Sequence, residues 1–202
     1  PTIQLIMEEV VAAGIEQVIL VTSPGKSPLK DYFAPAPALE SWLQSHGKRE
    51  LCERIQRLGR MCEVVTVQQK EPLGLGHAVY CARQMIGNER FAVCLGDEIL
   101  PPWDEANQKR PLLKRLVDHA VALDASTVGV VEIPSTDSRS YGMIDIGGAK
   151  LGANPVPIRK TVEKPAPEEV PSPYAVIGRY VFDGDLMDIL KELKPGEGGE
   201  IQ

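Results

Sequence analysis

Two short runs, Gln17-Val-Ile-Leu-Val-Thr22 and Phe91-Ala-Val-Cys-Leu95, are apolar across their centres and show no alternation of faces. A strand of that composition has no side to offer to water, so it belongs in a sheet covered on both faces. Segments of helical character lie beside them. From Ile3 to Ala13 the apolar residues Ile3, Ile6, Met7, Val10 and Val11 recur at helical spacing, and Gly14 follows as a stop. Leu39 to about Leu58 reads as one mostly helical, largely polar stretch, Glu63 to Gln68 as a strand, and Gly76 to Met85 as a helix. Helices alternating with buried strands predict an α/β fold with a mostly parallel sheet flanked by helices.

The pattern changes in the second half. Pro111 to Leu123 is helical, and Ser126 to Glu132 is rich in β-branched residues and ends at Pro134. Three strands follow, Tyr141 to Ile146, Val156 to Glu163 and Ala175 to Phe182, joined by Gly- and Pro-rich loops with no convincing helix between them. They imply an antiparallel or mixed extension of the sheet. Asp185 can cap a last helix running through Leu193, after which Pro195, Gly196, Gly198 and Gly199 break it. Ser23, Pro24, Gly25 and Ser27 form a turn, and the Pro-rich patches at Phe33–Leu39 and Lys164–Pro173 read as loops.

At 202 residues, 43% hydrophobic and 25% charged, the chain has the makings of one domain with a real core. A net charge of -6 gives no general attraction for nucleic acid or an anionic membrane, so any phosphate must be held locally. Cys52, Cys62, Cys81 and Cys94 form no CxxC pair, which favours a reducing compartment. No apolar stretch approaches the roughly 20 residues of a membrane span, and Pro1-Thr2-Ile3-Gln4 resembles no targeting peptide. A cytoplasmic setting is expected.

Chemistry concentrates where strands end. Gln69-Lys70-Glu71-Pro72-Leu73-Gly74-Leu75-Gly76-His77 joins a strand to a helix. Its glycines either bring a flat or charged ligand close to the backbone and the helix start, or serve only a tight turn. The amide of Gln69 both donates and accepts, as pairing with a base edge requires, while His77 suits capping or packing better than proton transfer. Gly96-Asp97-Glu98 puts two carboxylates after an apolar strand. They are either a solvated turn or a site for a hard cation such as Mg²⁺, with Asp97 the better placed ligand. Val162-Glu163-Lys164-Pro165 ends a strand in an acid and a base. On a continuing strand the two side chains would point apart. Glu163 could accept from sugar hydroxyls and Lys164 could meet a phosphate, or both could sit on an ordinary exposed strand end. Gly142 and Gly178, in Tyr141-Gly142 and Ile177-Gly178-Arg179-Tyr180, permit close approach or mark bulges.

In this order the segments resemble the bacterial UTP–glucose-1-phosphate uridylyltransferase family of nucleotidyltransferases. Pro1 to Thr22 is similar to the family's opening helix and strand, Gln69 through Val79 to its "RQ…GLGHAV" loop, and Tyr141-Gly142, Val162 to Pro165, Ile177 to Tyr180 and Gly199-Glu200-Ile201-Gln202 to later landmarks. The resemblance implies a Rossmann-like sugar-nucleotide transferase fold and a reaction of UTP with glucose-1-phosphate to give UDP-glucose and pyrophosphate. It also implies roles. Gln69 and Gly74 would read the uracil, Asp97 would bind Mg²⁺, Gly142 and Glu163 would hold the glucose, Lys164 would contact the sugar phosphate as a catalytic group, and Gly178 would lie beside the hexose. The family often forms dimers or tetramers.

The departures carry expectations of their own. The family's glycine-rich "GxGTR…PK" loop would precede Pro1 and its second metal-binding aspartate would follow "EIQ", so residues 1–202 read as one domain incomplete at both ends and inactive alone. Gly96-Asp97 stands where relatives usually have Pro-Asp, with the carboxylate retained. The alternatives are a thymidylyl- or cytidylyltransferase of the same superfamily, or an inactive module that binds sugar nucleotides.

Overall fold

A computed structural model describes residues 1–25, 28–100, 110–152, 154–196 and 199–201. Ser27, Gly198 and Gln202, to which the turn, the helix break and the last motif extend, lie outside the described residues. The chain divides into two compact units, Pro1–Phe91 with Asp183–Gln202, and Ala92–Phe182.

The first unit opens on α1 (Thr2–Ala12), which buries Ile6, Met7 and Val10. Gly14, at φ +87°, ends it: the Gly14 N–H donates to Val11 O and the Ile15 N–H to Val10 O, the paired bonds of a Schellman cap. The strands β1 (Gln17–Thr22) and β2 (Glu63–Gln68) pair in parallel, Gln17 opposite Glu63 through Thr22 opposite Gln68. Only Leu20 of β1 is buried, at 9% exposed, and Val21 is 36% exposed, so β1 is less covered than its composition predicts. Among the described residues it pairs along one edge only.

Between β1 and β2 come α2 (Pro28–Tyr32), α3 (Pro37–Ser45) and α4 (Arg49–Gly59). The single helix expected over Leu39–Leu58 is therefore two. Gly47, at φ +71°, is the reason, since the Gly47 N–H bonds Gln44 O and the Lys48 N–H bonds Leu43 O in a second Schellman cap. The helix expected from Gly76 to Met85 likewise divides into α5 (Leu75–Cys81) and α6 (Arg83–Ile86), with Ala82 turned to ψ -3° between them. The last helix, α8 (Leu186–Glu192), buries Met187 and Leu190. Asp185 stands at its N-cap position but in αR geometry and without a side-chain capping bond.

The second unit is built on a five-stranded sheet whose longest member is β7 (Tyr174–Phe182). Around it lie β3 (Phe91–Cys94), β4 (Thr127–Glu132) and β5 (Gly142–Asp145), and β6 (Lys160–Glu163) pairs β5. The β4/β7, β5/β7 and β5/β6 pairs are antiparallel, as the change of pattern predicts. β6 is shorter than the expected Val156–Glu163, because Pro155 and Pro157 have no N–H for a ladder. α7 (Leu112–Leu123) buries Leu113, Leu116 and Ala120, the i, i+3, i+7 stripe that packs it on β4 and β7. Gly129 lets it approach closely, since a Cβ there would lie 2.9 Å from Leu112 Cδ2. Met143, Ile144, Ala175 and Val181 complete the core.

Candidate functional site

Gln69 is the first residue after β2. Its backbone N–H donates to Thr22 O at 2.8 Å and prolongs the β1/β2 pairing by one bond, which fixes where its side chain starts. The amide Nε2 then donates to Gly74 O at 3.1 Å and lies 3.1 Å from His77 Nδ1. A carbonyl can only accept, so Gly74 O determines which end of the amide is nitrogen, and His77 Nδ1 must then be the acceptor of the second contact. This leaves the proton of neutral His77 on Nε2, 3.9 Å from Cys81 Sγ. His77 is thus a brace for Gln69, the packing role its sequence position suggests.

The glycines of this loop meet protein. Gly74 has φ +94°, and a Cβ on it would stand 2.5 Å from Ile201 O. Ile201 N–H donates to Leu73 O at 2.7 Å, and Gly76 N–H donates to Ile201 O at 2.9 Å. A Cβ on Gly76 would meet Ile201 Cγ2 at 3.0 Å and Leu190 Cδ2 at 3.2 Å. Close backbone approach is indeed the reason for these glycines, but the approaching group is the Glu200-Ile201 segment. Gly76 N–H, at the start of α5, is already bonded to it.

In the second unit the turn after β3 carries Gly96, Asp97 and Glu98. Asp97 is exposed. Glu98 is not equivalent to it, because its Oε2 accepts the Gly178 N–H at 2.8 Å. Leu95 N–H donates to Gly178 O at 2.9 Å, and a Cβ on Gly178 would lie 2.6 Å from Leu95 Cβ. The space this glycine leaves is filled by Leu95. Next to it Arg179 is 1% exposed, and its guanidinium donates to Gly178 O at 2.9 Å, Glu98 O at 3.1 Å and Leu95 O at 3.5 Å.

Gly142 and Glu163 face each other in register across β5 and β6, and a Cβ on Gly142 would stand 3.1 Å from Glu163 Oε2. The strand ends at Glu163, since Lys164 turns into the left-handed region at φ +45°. That turn brings neighbouring side chains together, with Lys164 Nζ 3.6 Å from Glu163 Oε1 and both exposed. Two bonds hold it, Lys164 N–H to Tyr141 O at 3.1 Å and the buried Ser138 Oγ to Pro165 O at 2.8 Å. A non-glycine residue kept in this region costs energy and persists where its surroundings over-determine it.

Tyr180 feels the charges of both Glu98 and Glu163. Burial pushes its phenol up from the ordinary value, and the negative charges of Glu98 and then Glu163 push it further. Its ring stacks on Phe182 with centroids 5.5 Å apart. Sequence reasoning passed over Arg179, Tyr180 and Ser138. Arg179 did leave a signal, as the one charged residue in the otherwise apolar run Tyr174–Phe182.

Among the described residues no group of three or more His, Cys, Asp or Glu could hold a metal by itself. An exposed carboxylate such as Asp97 still fits a hard cation that takes most of its ligands from water and phosphate oxygens, as Mg²⁺ does. All four cysteines are free thiols, and among the described residues no helix is long and apolar enough to cross a membrane.

Comparison with known proteins identifies relatives of this chain. The family model for nucleotidyl transferases matches residues 1–201. A UTP–glucose-1-phosphate uridylyltransferase of Bacillus subtilis (strain 168) is 41% identical over 202 residues, all of this chain and 66% of the relative. The crystal structure of an apo UDP-glucose pyrophosphorylase aligns with a TM-score of 0.88 at 35% identity, covering 100% of this chain and 72% of the other. One of a UDP-glucose pyrophosphorylase complexed with UDP-glucose aligns at 0.83 and 35%, covering 100% and 71%. The chain thus spans about two thirds of the length of these relatives, and it belongs to the nucleotidyl transferase family.

Proposed function

We propose that this chain carries the base-, metal- and sugar-recognising parts of an enzyme that makes UDP-glucose and pyrophosphate from UTP and glucose-1-phosphate. The observation that carries this reading is the 41% identity to a UTP–glucose-1-phosphate uridylyltransferase over the whole of the chain. In the reaction a phosphate oxygen of glucose-1-phosphate attacks the α-phosphorus of UTP, and the bond to the departing pyrophosphate breaks. No covalent enzyme intermediate is needed, so the protein's task is alignment and charge neutralisation.

The residues divide that work. Gln69 spends its Nε2 on Gly74 O and His77, which leaves Oε1 to accept an N–H from the uracil edge, with the Gly74 backbone beside it. Glu163 and Gly142 hold the hexose, Glu163 by accepting from its hydroxyls. Lys164 acts as the catalytic cation on the sugar phosphate, its Nζ 3.6 Å from Glu163 Oε1 and so beside the sugar. Gly178 is buried, with its N–H on Glu98 and its open side filled by Leu95, so it borders the hexose position as supporting backbone and not as a direct contact. Asp97 is the Mg²⁺ ligand, and Mg²⁺ bound there supplies charge neutralisation at phosphate oxygens.

The test is pyrophosphate release by the whole protein from UTP, glucose-1-phosphate and Mg²⁺, with dTTP and CTP as competing substrates. Release with UTP in preference to the others is expected. No release rejects the assignment, and a preference for dTTP or CTP moves it to the neighbouring transferases.

A further inference from the structure

We infer that Arg179 is a positioning residue that fixes the Asp97 turn from beneath, and that Glu98 is its helper and not a metal ligand; this rests on the reading of Asp97 as the Mg²⁺ ligand. A guanidinium at 1% exposure is costly in an interior unless its donors are satisfied. Three of its contacts are to main-chain carbonyls. Leu95 O and Glu98 O are the two carbonyls that bracket Gly96-Asp97, and Arg179 reaches both, at 3.5 and 3.1 Å, from a position that its own bond to Gly178 O anchors. The planar fork therefore spans the mouth of the turn and leaves Asp97 at its exposed apex. A second tie runs from the side chain of Glu98 to Gly178 N–H, and a third from Leu95 N–H to Gly178 O.

All three ties meet Gly178 and Arg179, a dipeptide in the middle of β7, the longest strand of this sheet. The turn needs such ties because Gly96, with nothing within 4 Å of its ideal Cβ, supplies no packing of its own. A carboxylate on a loose glycine turn would have to be ordered by each incoming cation. Held by a rigid strand, it is already in place, and removing a group that orients a metal ligand from outside the coordination sphere commonly costs about 10- to 100-fold in affinity. Lysine cannot replace the fork, since one ammonium does not match two divergent carbonyls with fixed planar geometry.

Mn²⁺ binding to the whole protein, followed by electron paramagnetic resonance without turnover, reads the carboxylate directly. Arg179→Lys should weaken Mn²⁺ binding by roughly 10- to 100-fold, the usual consequence of removing an outer contact, while far-UV circular dichroism is retained. Glu98→Ala should weaken it as well. Glu98→Gln, which keeps an acceptor for Gly178 N–H, should recover most of the loss. A folded Arg179→Lys that binds Mn²⁺ like the parent, beside an Asp97→Asn that has lost it, overturns the positioning role and leaves the metal site standing. Should Arg179→Lys fail to fold, equal Mn²⁺ affinity in Glu98→Ala and Glu98→Gln overturns it instead. An Asp97→Asn that binds as the parent does rejects the metal assignment itself.

Discussion

Lys164 Nζ lies 3.6 Å from Glu163 Oε1 because the backbone of Lys164 is left-handed, at φ +45°. In a continuing strand the same two side chains would point to opposite faces. The left-handed conformation costs a residue with a Cβ roughly 1–2 kcal/mol, a cost glycine escapes. Lys164→Gly should therefore have a higher urea midpoint than Lys164→Ala, although both remove the cation. Coincident midpoints would mean that Lys164 is not strained.

Hexose affinity provides a second check. If Glu163 accepts sugar hydroxyls in a site that closes to water, Glu163→Ala should weaken binding of glucose-1-phosphate by about 1–3 kcal/mol, or roughly 5- to 150-fold. Titration calorimetry on the whole protein measures this, and an unchanged dissociation constant refutes the role.

Gly14 and Gly74 separate two reasons for glycine. Both have positive φ, +87° and +94°, but a Cβ on Gly14 meets nothing within 4 Å and one on Gly74 meets Ile201 O at 2.5 Å. Alanine at either position bears a backbone cost of about 1–3 kcal/mol. Gly74→Ala must also displace the Ile201 segment, so it should lose more stability than Gly14→Ala in denaturant titration. Equal losses would show that the Ile201 contact yields freely.

Tyr180 predicts an alkaline response. Its phenol is raised first by burial and then by Glu98 and Glu163, so the folded state holds this proton more tightly than the unfolded chain does. As pH rises past the ordinary tyrosine value of about 10, the unfolded state loses the proton first, and stability falls until the folded phenol also ionises. Absorbance at 295 nm should show one late-titrating tyrosine, absent in Tyr180→Phe and shifted down in Glu163→Gln. A Tyr180→Phe variant with the same late component would place that phenol elsewhere.

The position of the candidate residues was legible because each sits where a strand stops, and strand ends are marked by glycine and charge. Gln69, Asp97 and Glu163 follow β2, β3 and β6 or close them, as expected. What could not be read is what those residues lean on. The partner of Gly74 and Gly76 is Ile201, more than a hundred residues along the chain, and no local pattern points from one to the other. Arg179 stands out as the one charge in an apolar strand, but the carbonyls it reaches, Leu95 O and Glu98 O, lie about eighty residues earlier and no local pattern points to them. Gly47 is different, since its capping bonds are local and a glycine between two polar helical stretches could have divided them.

On the proposed hexose-holding role of Glu163, the register of β5 against β6, with Gly142 opposite Glu163, joins folding to selectivity for substrate. Side chains alternate along a strand, so moving β6 by one residue would turn Glu163 to the opposite face and set Val162 opposite the glycine. In sequence the two strands are joined by residues 146–159, and the length of such a connection constrains the alignment of the strands it joins. A variant shortened by one residue there, with Gly142 and Glu163 both intact, loses their facing pair when the register slips; in a lineage or a directed-evolution library, the length of this connection is a trait that selection can act on independently of those two residues.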